Sequence, residues 1–174
     1  MPPKIPLPDD ADLDAESLEI LAKLPPLNVF RMMANAPASF RSLIEFAFSL
    51  LVTSEFDARK REIAILRVAH VTHASYEWFQ HVIVAKRVGV TDEEIEKIGV
   101  DGPVTELDEE GNLLCRVADE ISNEVRLSDD ALQEILDRYG TRQATELILC
   151  VSYFNLLSRF LESTRVGLEE ESPL

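Results

Sequence analysis

Apolar residues recur along this chain every three to four positions rather than every second one. That period belongs to helices with one buried face. It predicts helices over 15–24, 28–35, 38–53, 58–72, 75–88, 92–98, 109–125, 129–139 and 142–165, with no alternating run of strand length. The punctuation agrees. Pro25, Pro26 and Pro37 cannot continue a helix, and Gly89, Gly99 and Gly140 stand where a left-handed C-terminal cap would close one. "TDEE" at 91–94 has the form of a capping box, and Ser128 and Thr141 are placed as N-caps. The reading is all-α: a single domain of packed antiparallel helices over 15–166. An extended, Pro-rich arm (1–14) precedes it, and an acidic, solvated tail (167–174) comes after it.

Two of these helices carry polar residues on faces that should be apolar. At 100° per residue, Ala74, Glu77, Trp78, His81, Val84, Ala85 and Val88 share one face of helix 75–88. Glu77 and His81, four apart, are neighbours on successive turns. In helix 58–72, Glu62 shares a stripe with Ala58, Ile65, Leu66 and Ala69. Burying an unpaired carboxylate is costly, so each needs a partner or a proton. Glu62, Glu77 and His81 are therefore expected to converge in a partly buried cavity between the two helices, with Trp78 near its wall. A carboxyl–imidazole cluster in apolar surroundings is suited to proton transfer. Phe79 and Ile83 on the opposite side of 75–88, and an apolar surface almost all round 38–53, predict a homo-oligomer.

Composition narrows the partners. The 174 residues suit one domain, with 46% hydrophobic and 28% charged residues. With 17 Lys+Arg against 32 Asp+Glu, the formal charge is −15. Such a surface repels phosphate backbones and excludes nucleic acid and anionic membranes as natural partners. A small anionic substrate would need local arginines, for which Arg31 and Arg159 are the candidates. Cys115 and Cys150 lack CxxC spacing and read as reduced core residues. No signal peptide or membrane-spanning run is visible, so a cytoplasmic location is expected. All three histidines fall in "HVTHASYEWFQH", 70–81. His73, Glu77 and His81 keep i, i+4 spacing and could in principle hold zinc or iron. His73, however, is predicted in the turn before the helix, where it borders the pocket together with Tyr76.

The wording "LPPLNVFRMMANAP", "DARKREIAILRVAHVTHASYEWFQH", "GVTDEEIEKI" and "ELILCVSYFNLLSRFLE" resembles the carboxymuconolactone decarboxylase family over about residues 24–165. The resemblance implies an alkylhydroperoxidase D-like helical fold, assembly as dimers, trimers or hexamers, and a site without metal or cofactor. It also implies roles for Glu62, Glu77 and His81 in acid–base chemistry. The family's thiol peroxidase branch carries a CxxC pair. Here those positions are Ala74 and Glu77, so peroxiredoxin-type antioxidant activity is disfavoured. Cofactor-independent decarboxylation or isomerisation of a small organic acid or lactone is the leading expectation. A non-catalytic assembly protein remains the third.

Overall fold

A computed structural model describes residues 4–169, and the predicted ends of the arm (1–3) and tail (170–174) lie outside the described residues. Among the described residues there are eight α-helices and no strand. They are α1 (Ala15–Leu21), α2 (Asn28–Met33), α3 (Pro37–Phe48), α4 (Ala58–Val71), α5 (Ser75–Arg87), α6 (Asp92–Ile98), α7 (Glu109–Glu124) and α8 (Asp129–Thr164). A 3₁₀ turn, Asp10–Asp12, interrupts the arm, and a π-helical turn, Ser49–Thr53, extends α3. The antiparallel helices enclose one core.

Local chemistry sets the boundaries. Pro37 occupies the first turn of α3, where its missing N–H costs nothing. The Asp57 carboxylate accepts from the Lys60 amide at 3.0 Å to start α4. Thr91 and Glu94 form the expected reciprocal capping box, and Ser128 Oγ accepts from the Ala131 amide at the start of α8. One expectation about glycine needs correction. Gly99 has an ordinary φ of −83°. It is needed for clearance, since a Cβ there would meet the Trp78 ring at 3.1 Å. Gly140 breaks the run as expected: with φ 71° and ψ 171° it stands non-helical between two helices that meet there in a kink, both included in α8.

The centre of the bundle is α4, which packs on α5, α6, α7 and α8. Arg61 through Ala69 are all buried, so this helix has no solvated face over nine residues. Two arginines inside it are structural. Arg67, 2% exposed, pairs with Asp119 at 2.6 Å through Nε and donates to the carbonyls of Ile98, Val100 and Gly102. It thereby ties the 98–102 loop to α7. Arg61 donates to the carbonyls of Leu51 and Phe56 and holds the π turn against α4. The arm is bound as well: Ile5 N–H donates to the Thr164 carbonyl at 3.2 Å, and Asn35 Nδ2 to the Pro6 carbonyl at 3.0 Å.

Candidate active site

The turn between α4 and α5 is three residues long, with His73 in the left-handed region at φ 54°. It folds α5 back along α4 and brings the stripe carrying Glu62 against the stripe carrying Glu77 and His81. His81 Nδ1 lies 2.7 Å from Glu62 Oε2. On the other side of the ring, Nε2 lies 3.6 Å from Glu77 Oε2. The first distance is a hydrogen bond. The second is too long for one. Phe154 of α8 packs edge-on against the imidazole, centroid to centroid 4.8 Å, and fixes its plane. Glu62 and Glu77 are 1% and 3% exposed.

Glu77 Oε2 has no hydrogen-bond partner although it is buried. Burial pushes the Glu77 carboxyl up to about 7, opposed by His81 and reinforced by Glu62. Burial alone would depress the imidazole. The charge and hydrogen bond of Glu62, with the charge of Glu77, outweigh it and hold His81 above the ordinary histidine value. Two groups whose affinity for a proton is raised therefore face one another.

They face a cavity of about 190 Å³ walled mainly by apolar side chains from α2, the end of α3, α5 and α8. Tyr76, Glu77, Gln80 and His81 supply its polar edge, and Tyr153, Phe154 and Leu157 its far wall. A larger surface groove, about 570 Å³ and lined by Val104, Leu113 and Arg116 among others, contains no histidine.

Glu62 and the cavity-lining Glu77, His81 and Tyr76 are thus brought together. Four other expected residues are not. Trp78 is one step round α5 from Glu77 and points the other way, toward His70 and Gly99. His73 is exposed on the turn and borders only grooves remote from the imidazole pair. Arg31 is committed to the arm, donating to the Pro8 carbonyl and pairing with Asp10, both at 2.7 Å. Arg159 is exposed and bonds back to Asn155 one turn earlier. With His73 apart, the His73–Glu77–His81 trio does not form, and no group of three His, Cys, Asp or Glu able to hold a metal ion occurs among the described residues. Sequence reasoning missed Gln80, whose signal was its i+4 spacing from Tyr76. It also missed Tyr153 and Phe154, which the α8 periodicity marks only as core.

Residues 37–102, which contain Glu62, Glu77 and His81, match the carboxymuconolactone decarboxylase family. The match spans that segment and not the rest of the 174-residue chain. The sequence contains no CxxC pair, its two cysteines being Cys115 and Cys150. The whole fold extends further. An uncharacterized peroxidase-related protein from Ralstonia eutropha, described as an alkylhydroperoxidase AhpD core, superposes with a TM-score of 0.80 at 15% identity, covering 96% of this chain and 92% of its own. A second uncharacterized peroxidase-related protein, from a Silicibacter species, gives 0.77 at 17% identity over 95% and 90%. At these identities the likeness concerns the fold. No curated protein gives a significant sequence match.

Proposed function

We propose that this protein is a cofactor-independent acid–base enzyme of carboxymuconolactone decarboxylase type, acting on a small organic acid or lactone by decarboxylation or isomerisation. The observation that carries the reading is the imidazole held by Glu62 on one nitrogen and facing the unpartnered, buried Glu77 oxygen with the other, at the wall of an apolar cavity.

With Nδ1–H donated to Glu62, the Nε2 side of the ring is the working side. In a decarboxylation, the carbon–carboxylate bond breaks and its electron pair passes into an adjacent carbonyl as an enolate. Carbon dioxide leaves, and a proton from the His81–Glu77 pair completes the carbon. The pair, left one proton short, takes one back from solvent through Glu77, whose carboxyl is raised to about 7. In an isomerisation the same pair removes a proton from one carbon and returns it to another. The apolar wall strengthens each electrostatic contact by excluding water.

A thiol peroxidase reading has less support. Cys115 and Cys150 are buried on α7 and α8. Burial pushes the Cys115 thiol up to about 12 and the Cys150 thiol higher still. Neither is a ready thiolate. Two unpaired cysteines are consistent with a cytoplasmic location.

The test is His81→Asn, assayed with 4-carboxymuconolactone, related unsaturated lactones and β-keto acids. Asn can still donate to Glu62, so the fold and its melting temperature should persist. Turnover should fall by about 10²-fold or more. Full activity in the variant, or no turnover of any such compound by the parent protein, refutes the reading.

A further inference from the structure

The described start of the C-terminal tail, Gly167–Glu169, expected to be solvated, turns back onto the domain. Arg165 closes α8 in the left-handed region at φ 57°. The Gly167 carbonyl then accepts from Asn28 Nδ2 at 2.9 Å. Beyond it, the Glu169 carboxylate is held by three donors. Oε1 accepts from the Asn28 backbone N–H at 2.5 Å and from the Tyr76 hydroxyl at 2.6 Å. Oε2 accepts from Gln80 Nε2 at 2.5 Å.

Two of these donors are built into the interior. Tyr76 is 2% and Gln80 4% exposed. The Val29 N–H donates to the Tyr76 oxygen at 3.2 Å, which leaves the phenolic proton directed at the carboxylate. Burial, aided by the bond to Glu169, pushes that phenol well above its usual range, so it remains a donor. The arrangement is continuous with the acid–base pair. Tyr76 and Gln80 form one i, i+4 ridge of α5, and Glu77 and His81 form the next ridge, one residue round the helix. All four side chains line the same cavity.

We propose that Tyr76, Gln80 and the Asn28 amide form a carboxylate-binding subsite at the edge of this cavity, filled by Glu169 until the carboxylate of a small, largely apolar organic acid displaces it. Three neutral donors suit a planar carboxylate and bind it without a cation. The apolar walls suit the remainder of the ligand. Because Glu169 is tethered, it competes at an effective concentration in the millimolar range, so the tail sets the threshold at which a free acid enters. The subsite names the ligand class for the acid–base reading and rests on that reading only for the chemistry after binding.

The test is calorimetric titration of the full chain with benzoate, with benzamide as its neutral counterpart. Glu169→Ala should tighten benzoate by about tenfold and leave benzamide unchanged. Adding Gln80→Glu, which places a like charge against the ligand at nearly constant volume, should reverse the gain. Tyr76→Phe should weaken it in the same background, with circular dichroism confirming the helices. Unchanged benzoate affinity in Glu169→Ala, an equal gain for benzamide, or no benzoate binding at millimolar concentration would each overturn the proposal. The readout is binding, so its failure is separable from that of the acid–base reading. Loss of turnover in His81→Asn with benzoate indifferent to Glu169 removes only the subsite. Benzoate competing with Glu169 in a protein whose activity ignores His81 removes only the chemistry.

Discussion

Glu77 has opposite demands placed on it by packing and by chemistry. Its carboxyl is raised from an ordinary 4.5 to about 7, first by burial. Between those two pH values the folded protein keeps a proton that the unfolded chain releases, so folding stability from this group is full below about 4.5 and is lost as pH rises through 7. His81, also raised, acts in the same direction above its ordinary 6.5. Glu77→Gln should therefore unfold later than the parent protein at pH 8, by on the order of 2–3 kcal/mol. The difference should shrink toward pH 4.5. Urea titrations across that range measure it, and a constant difference would show that Glu77 titrates normally. The three site residues could be read from the sequence because each interrupts an otherwise apolar stripe. Arg31, Arg159, Trp78 and His73 could not be placed that way. Where a long or turn-borne side chain ends depends on what other elements offer it, and Arg31 finds the Pro8 carbonyl and Asp10 before any ligand. Nothing in the tail's polar composition signalled that Glu169 would reach buried donors.

Among the elements, the helices were legible nearly to their ends because periodicity, prolines and side-chain caps act within a few residues. What the period does not report is how many sides of a helix are covered. Arg67 lies off the Glu62 stripe of α4, yet it is buried because α6, α7 and the 98–102 loop close over it. The end of α7 shows a conflict between local preference and fold. Val125, 87% exposed, adopts φ 68°, ψ −12°, a conformation that a β-branched side chain strongly disfavours and that glycine adopts freely. Little packing is lost by removing so exposed a side chain. Val125→Gly should raise the unfolding free energy by about 1 kcal/mol, the relief of a left-handed β-branched residue less glycine's extra chain entropy. Thermal denaturation would show it, and a lower melting temperature would mean that the valine makes contacts worth more than its strain.

At the scale of the whole molecule, apolar surface remains exposed at the end of α3, in the π turn and along α8. Phe46 and Phe48 are 40% and 55% exposed at the end of α3, and Val52 63% in the π turn. Leu149 and Leu156 of α8 are 43% and 52% exposed. Phe46 stacks edge-on against Tyr153 at 5.3 Å, and Leu149 and Leu156 stand four before and three after Tyr153 on the same helix, so these side chains are neighbours. Ala47, Leu51, Tyr153 and Leu157, interleaved with them, form the cavity wall. Exposed apolar side chains of this kind invite a second copy of the chain, and a copy seated there would back the cavity and stiffen the wall opposite His81. The charge of −15 opposes self-association at long range, so such an interface should strengthen with salt as that repulsion is screened. Light scattering at micromolar concentration should give a multiple of 19.6 kDa. Phe48→Glu with Val52→Glu should shift the mass toward the monomer and slow turnover without changing helix content. A monomer at every salt concentration would leave the patch without a partner of its own kind.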